Sequence, residues 1–129
     1  MKRSMAVLLS MAVVFSFSCS KKAENRSRAV ITFMIGEAQV FRNNAWGGAD
    51  MGMELAQGDR VRTGAGGTVD VQVGTSVVRV KEKSELALAA LFLEGSTGIE
   101  NTSLELALGT VLAKPKKLVK GESFLIKTP

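Results

Sequence analysis

Cys19 supplies the only thiol of this 129-residue chain, and the residues before it have the order of an export signal. Lys2 and Arg3 come first, an apolar run follows, and Ser18 stands directly before the cysteine. Basic, apolar and small residues in this order are typical of a secretion signal. The apolar run has about 13 residues, whereas a membrane-spanning helix needs roughly 20. We therefore expect residues 1–18 to be a signal peptide and the Cys19 thiol to be acylated as the first residue of the mature protein.

The four residues that end at this cysteine, Ser16-Phe17-Ser18-Cys19, resemble the relaxed lipobox of spirochaete lipoproteins. The stricter enterobacterial form carries Leu where this chain has Ser16. An ordinary cleaved signal, or an uncleaved anchor, beside a bystander cysteine is the alternative. Two or three acyl chains anchor a protein stably, because each buried CH₂ contributes about 0.8 kcal/mol. The expectation is export and anchoring to the lipid bilayer through Cys19, at the outer membrane, the periplasmic face or the cell surface.

The densest cluster of cations consists of Lys114, Lys116 and Lys117, with Lys120 close by. Such a cluster can bind lipid headgroups, an anionic glycan or an acidic protein. A solvated loop is the alternative interpretation, since Pro115 cannot stand in a central strand and lysines discourage pairing at a sheet edge. The four lysines are candidate binding residues.

Trp46 is the only tryptophan, and it stands with Met51 and Met53 in a glycine-rich stretch that we expect to form a loop. Aromatic and methionine side chains are common where proteins meet, so Trp46 is a candidate contact for a partner. The alternative is that these side chains cap one end of the core.

The inventory of residue types argues against catalysis. Histidine is absent, so no imidazole can activate a serine, and Cys19 is expected to be consumed by lipid. The glycine-rich residues 64–68 lack the Gly-Lys-Ser/Thr ending of a phosphate loop and are typical of a tight β-turn. Removing the signal lowers the formal net charge from +5 to +3, which does not indicate nucleic acid. We expect no enzyme activity, no cofactor, no metal site and no small-molecule substrate.

The elements that must position these residues show a period of two. Val69, Val71 and Val73 alternate with Asp70 and Gln72, which buries one side of a strand and leaves the other in water. The same period recurs in four further segments, marked by Val78 and Val80, by Leu86 and Leu88, by Leu104, Leu106 and Leu108, and by Phe124 and Ile126. The sequence therefore predicts that the domain is all-β.

Glycine-rich turns separate the alternating segments. Gly47-Gly48, Gly58-Asp59 and residues 64–67, 74–76 and 95–98 supply them. Short strands at a spacing of roughly 8–12 residues predict an all-β domain over 28–129, joined to Cys19 by a polar tether over 19–27. In the Gly58-Asp59 turn we expect the aspartate oxygen to accept nearby backbone N–H groups. A helical turn in the Ala- and Leu-rich segment 84–93 is the one rival.

Taken in order, the motifs from Val30 onward resemble the FecR-like periplasmic domain. The segments that carry the resemblance are Gly36-Glu37-Ala38-Gln39-Val40, Trp46, Leu55-Ala56-Gln57-Gly58-Asp59-Arg60-Val61-Arg62-Thr63-Gly64, the run from Val69 to Val80, Ser84-Glu85-Leu86-Ala87-Leu88, Leu106-Ala107-Leu108-Gly109-Thr110-Val111 and Phe124-Leu125-Ile126-Lys127-Thr128-Pro129. The family continues past the Thr-Pro into another strand. The resemblance therefore implies a domain that lacks its last strand or strands.

The resemblance implies a compact β-helix-like or β-solenoid module, in which stacked coils share one core. Together with the lipid anchor it implies a non-catalytic sensor or scaffold that binds an envelope protein partner. Two alternatives stay open. One is a surface lipoprotein that binds glycan or host matrix through the lysine cluster, and the other is a FecR-type regulator in transport-linked signalling.

Overall fold

The computed structural model describes residues 28–93 and 99–129, and every regular element in them is a β-strand. In chain order the strands are β1 (Ala29–Ile35), β2 (Ala38–Arg42), β3 (Ala45–Gly48), β4 (Glu54–Leu55), β5 (Arg60–Thr63), β6 (Thr68–Val73), β7 (Ser76–Val80), β8 (Glu85–Leu93), β9 (Glu100–Leu108), β10 (Val111–Lys114) and β11 (Ser123–Lys127). The prediction of an all-β domain is confirmed. The helical alternative for 84–93 is wrong, because β8 occupies that segment. In this part of the chain no helix has the length and apolar character needed to cross a membrane.

The strands form two sheets, which we call the first and the second sheet. The first sheet has the order β10-β7-β6-β1-β4, and the second has the order β11-β9-β8-β5-β2-β3. Neighbouring strands of the described residues run antiparallel except β9 and β11, which run parallel. Parallel pairing between successive coils is what defines a β-helix. The solenoid character that the FecR resemblance implies is therefore not confirmed.

One apolar core lies between the two sheets, and both contribute to it. The fully buried side chains include Ile31, Val69, Val71, Val78 and Val80 from the first sheet and Val61, Leu86, Leu88, Leu91 and Leu104 from the second. Val69, Val71, Val78, Val80, Leu86, Leu88 and Leu104 are inward positions that the period of two predicts, whereas Leu91 follows a shift of register between Leu88 and Ala90. The alternation of β9 extends beyond the core at its end, because Leu108 is 59% exposed.

Asp70 lies opposite Arg79 on neighbouring strands of the first sheet, and it is buried although its position in the alternation predicts an exposed side chain. The Arg79 guanidinium donates to both oxygens of this carboxylate, at 2.7 and 2.8 Å. Such a bidentate pair compensates the carboxylate for lost water. The same hydrogen bonds raise the pKa of Arg79 above its ordinary value.

The hairpin of β2 and β3 turns at a different place from the one the sequence indicates. Asn43 and Asn44 form the turn, with φ of 52° and 61°, which is the backbone conformation that a two-residue hairpin needs. Gly47 and Gly48 lie within β3. Trp46 therefore belongs to a strand, and the expectation of a loop at this position is wrong.

A buried polar node around Ser84 joins the two sheets. The Thr110 N–H donates to Ser84 Oγ at 2.8 Å, and the Ser84 N–H donates to Thr63 Oγ1 at 3.1 Å. Thr63 Oγ1 in turn donates to the Lys81 carbonyl at 2.5 Å. The node thus ties β5 to the β7–β8 connection and to the β9–β10 turn.

Gly109 leaves no room for a side chain beside this node, and we expect Gly109→Ala to destabilise the domain. Its φ is 88°, and an added Cβ would lie 2.6 Å from the Ser84 Cα. Strained backbone and steric overlap together should lower the free energy of unfolding by at least about 2 kcal/mol. Urea unfolding of the full chain, followed by tryptophan fluorescence, measures this. The control Gly47→Ala has no atom within 4 Å of the added Cβ and should change stability by less than about 0.5 kcal/mol. Equal losses in the two variants would contradict the prediction.

Candidate functional site

Aromatic and cationic side chains cover part of the outer side of the second sheet. Strands β3, β2 and β5 are neighbours there, with Phe41 opposite both Trp46 and Arg60, and with Gln39 opposite Arg62. The intervening residues of β2 and β5 are buried in the core, so the pleat turns these side chains outward. We call these five residues the arginine–aromatic face.

In the arginine–aromatic face, each arginine lies over an aromatic ring. The Cζ of Arg62 is 3.8 Å from the centroid of the Trp46 ring, and the Cζ of Arg60 is 4.2 Å from that of Phe41. The two ring centroids are 5.2 Å apart and the rings are tilted by 56°. A guanidinium at such distances is attracted by the negative face of the ring. The four side chains, all half-buried, therefore hold one another in one arrangement.

The two arginines differ in how their charge is compensated. Arg60 donates to Glu85 Oε1 on β8 at 3.0 Å and forms an ion pair with it. Arg62 donates from Nε to Gln39 Oε1 at 2.8 Å, which is a neutral acceptor. Among the described residues no carboxylate oxygen lies within 4.0 Å of the Arg62 guanidinium. Arg62 thus presents a charge that no acidic side chain of the described strands neutralises.

A shallow cleft of about 440 Å³ opens beside this face. Gln39 and Arg62 line it together with Glu37, Met34 and Ala49. The face therefore continues into a concavity with both polar and apolar walls.

The structure brings Trp46 together with residues that the sequence analysis did not single out. Phe41, Arg60 and Arg62 each alternate with a buried valine, so their outward direction was readable from the sequence. Their convergence was not, because it depends on β5 pairing with β2 across 18 or more residues. The methionines expected beside Trp46 separate: Met53 packs against the core, and Met51 is exposed in a turn.

Asp59 has the role predicted for it. Its Oδ2 accepts the Ala56 N–H at 2.8 Å, which closes the turn before β5. The Arg42 guanidinium also donates to this buried carboxylate, at 3.1 Å from Nε, and to the Glu54 carbonyl at 2.7 Å. The hydrogen bond with Asp59 raises the pKa of Arg42 above its ordinary value. This pair is structural, since both partners are occupied by contacts within the domain.

The candidate lysines fall into two groups. The Lys116 ammonium lies 2.8 Å from Glu122 Oε1 and 3.0 Å from Glu100 Oε2, so its charge is compensated within the domain. Lys114, Lys117 and Lys120 are exposed, and no ion pair joins them to the residues that the structure describes. Binding by these lysines stays a prediction, with Lys116 as a structural member of the cluster.

Lys116, Glu100 and Glu122 form what we call the lysine clamp, which holds the loop between β10 and β11. Glu122 Oε2 also accepts the Val119 N–H at 3.0 Å, and the Glu122 N–H donates to the Val119 carbonyl at 3.0 Å. The hydrogen bond from Lys116, followed by that from Val119, lowers the pKa of the Glu122 carboxyl below its ordinary value. The hydrogen bonds to Glu122 and Glu100 raise the pKa of Lys116.

Cys19 lies outside the described residues, so its acylation stays a prediction, as do the signal at 1–18 and the tether at 19–27. In the part of the chain that the structure describes, no three His, Cys, Asp or Glu side chains are grouped so that they could hold a metal ion. No family model matches the chain, and no curated protein or solved structure matches it. The FecR resemblance accordingly remains a prediction carried by the ordered motifs.

The lysine clamp should open in acid. The pKa of Glu122 is lowered in the folded chain. The stabilisation that its ionised carboxylate gives the lysine clamp is therefore complete above the ordinary pKa of 4.5 and is lost as the pH falls through the lowered pKa. The protection factor of the Val119 amide, measured by hydrogen exchange from pH 6 down to pH 2, should fall while that of amides in β6 and β7 persists. Glu122→Gln should make the Val119 amide weakly protected at both ends of this range. A pH-independent protection factor in the unmodified chain would contradict the assignment.

Proposed function

We propose that this chain is a membrane-anchored bacterial envelope lipoprotein whose all-β domain binds a protein partner and catalyses no reaction. The acylated Cys19 would hold it to the bilayer, and the arginine–aromatic face would contact the partner in a sensor or scaffold role. The observation that carries the proposal is the stack of Arg62 on Trp46. The positive charge of Arg62 meets no carboxylate in the described residues.

The composition of the arginine–aromatic face supports a protein as the ligand. Tryptophan, phenylalanine and arginine are enriched at protein interfaces, and tryptophan and arginine dominate their binding energies. Stacking and strand pairing already restrain these side chains, so binding would cost little further conformational entropy. The unneutralised guanidinium of Arg62 favours a partner that presents a carboxylate there, because the charge-assisted hydrogen bonds of such a pair are strong.

The two alternative functions remain predictions from the sequence. Glycan or host-matrix binding through the lysine cluster would use Lys114, Lys117 and Lys120, because Lys116 is engaged in the lysine clamp. Transport-linked FecR-type signalling is a prediction that the family resemblance alone supports.

The arginine–aromatic face can be tested by photo-crosslinking in intact cells. We expect a photoreactive residue in place of Ala87, on the outer side of β8 beside Arg60, to capture one discrete envelope protein. The same residue in place of Val77, on the outer side of the first sheet, is the matched control and should not capture it. Trp46→Ala or Arg62→Glu should weaken the affinity for the captured protein at least thirtyfold, because a central hot-spot residue contributes about 2 kcal/mol or more.

Phe33→Ala provides the control substitution for that experiment, since Phe33 is an exposed aromatic side chain on the first sheet. It should leave the affinity unchanged. Capture from Val77 and Ala87 alike, or full affinity in Trp46→Ala and Arg62→Glu, would refute the assignment of this face.

Anchoring is tested separately by mass spectrometry of the protein extracted from membranes. We expect a polypeptide that begins at Cys19 and carries two or three acyl chains. Cys19→Ala should remove the acyl mass and release the chain from the membrane fraction, because no other residue is expected to take the lipid. An unmodified and soluble mature N-terminus would overturn the anchoring part of the proposal.

A further inference from the structure

The point at which the chain enters the domain lies at the same end as the lysine clamp. The Arg28 carbonyl accepts the Gly74 N–H at 3.1 Å, in the turn between β6 and β7. The Glu100 carboxylate packs against that turn, since a Cβ added to Gly74 would lie 2.6 Å from Glu100 Oε1. Glu100 Oε2 is in turn 3.0 Å from Lys116 Nζ. Three successive contacts therefore connect the first described residue to the loop between β10 and β11.

The lysine clamp gives that loop a defined tip. The hydrogen bond from the Glu122 N–H to the Val119 carbonyl closes a four-residue turn, and Gly121 takes a φ of 94° at its third position, where a type II turn requires a positive value. Lys116 also donates its backbone N–H to Ser76 Oγ at 2.9 Å, which fastens the loop to β7. The segment 117–121 thus projects from a fixed base, and we call it the basic–apolar turn.

The exposed side chains of the basic–apolar turn combine cations with apolar groups. Val119 is 62% exposed and Leu118 is 42% exposed. Lys117 and Lys120 flank them, and both are exposed without an ion pair among the described residues. Lys114 stands at the base of the same loop, opposite Val77 on β7. Positive charges surrounding an apolar tip complement a surface that is anionic at its headgroups and apolar beneath them.

We propose that the basic–apolar turn is a second membrane contact, which docks onto the anionic headgroups of the bilayer with Val119 and Leu118 in the interfacial region. A bilayer fits better than a soluble polyanion, because a polyanion offers no apolar phase in which two exposed aliphatic side chains could be buried. The proposal deepens the anchoring part of the proposed function. The nine residues from Cys19 to residue 27 span at most about 30 Å, so an anchored chain keeps this end of the domain close to the lipid.

Two contacts would also orient the domain. The turn holds the end that carries Arg28 and Gly74 against the membrane, while the opposite end carries Ser84, Gly109 and Leu108. The arginine–aromatic face includes Arg62, which stands opposite Glu85 in the strand register of β5 and β8 and hence lies toward the membrane-distal end. Docking of the turn therefore leaves this face open to a partner.

Tryptophan scanning with brominated lipid tests the contact in the full chain, reconstituted into vesicles. Val119→Trp places a fluorophore at the tip of the turn, and Leu118→Trp repeats the readout one residue earlier. Leu108→Trp is the matched control, since Leu108 is 59% exposed at the opposite end. The unmodified chain supplies the emission of Trp46 as background. In vesicles of brominated phosphatidylcholine with a minor fraction of phosphatidylglycerol, emission from positions 119 and 118 should be quenched and that from 108 should not.

The charge requirement is tested in the same vesicles. Lys117→Gln together with Lys120→Gln should reduce the ratio of docked to undocked turn roughly twenty-five-fold, because each lysine near an anionic surface contributes a factor of about five. Lys81→Gln together with Lys83→Gln removes equal charge at the opposite end and should leave the ratio unchanged. Replacing phosphatidylglycerol by phosphatidylcholine should likewise reduce the ratio of docked to undocked turn in the unmodified chain, because it removes the negative charge of the lipid.

Each remaining outcome decides the proposal. No quenching at 118 and 119, or equal quenching at 108, overturns it, even if Cys19 proves to be acylated. Binding to dextran sulfate through Lys117 and Lys120 without bromolipid quenching would assign the turn to a polyanionic glycan and overturn it likewise. Quenching at 119 in a chain whose Cys19 is unmodified would leave this proposal standing and remove the anchor instead.

Discussion

The hydroxyl of Ser84 is the constraint on which the relation between the two sheets depends. It accepts the Thr110 N–H and lies against Gly109. The β9–β10 turn can therefore pass beside Ser84 only because Gly109 has no side chain. That passage moves the chain from the second sheet to the first, where β10 pairs with β7. A hydroxyl buried without partners would cost roughly 1–3 kcal/mol, and here every partner comes from a connection between sheets. The polar node therefore selects one way of joining the layers, while the apolar core between them is less specific about their alignment.

The two candidate surfaces follow from this connection. Because β10 runs antiparallel to β7 from Val80 to Val77, the chain leaves the Ser84 node and arrives at the opposite end of the sandwich. There Lys116 meets Glu100 at the start of β9 and Glu122 just before β11, and the lysine clamp forms. The arginine–aromatic face arises on the other sheet, where β5 and β2 bring two arginines opposite a glutamine and an aromatic ring. The basic loop thus follows β10 at one end of the first sheet, whereas Arg62 of the stacked face lies toward the other end of the second sheet.

The sequence was sufficient for what depends on near neighbours and insufficient for what depends on pairing. Valine at every second position of β6 and β7, with a turn at 74–76 between them, predicted two strands and their buried sides, and the structure adds that the two strands run antiparallel. Asp59 was predictable as a turn acceptor because Ala56 is three residues away. The stack of Arg62 on Trp46 and the ion pair of Lys116 with Glu100 each join residues 16 positions apart, and no local pattern encodes them. The hairpin at Asn43-Asn44 was missed because glycine at 47 and 48 is the commoner turn residue, and two asparagines with positive φ took its place.

In the proposed binding role, the cation–π stack would contribute more to recognition than to the stability of the free domain. At an exposed site such a contact is worth about 0.5–1 kcal/mol, and it rises to about 2 kcal/mol or more once water is removed. Arg62 and Trp46 are half-buried in the free chain, so much of that difference becomes available only when another surface covers them. The gain would be lost if Arg62 remained without a carboxylate in the covered state, since a buried unpaired charge is costly. A partner of the proposed kind would therefore need both an apolar rim to exclude water and an acidic group for Arg62, and either feature alone would bind weakly.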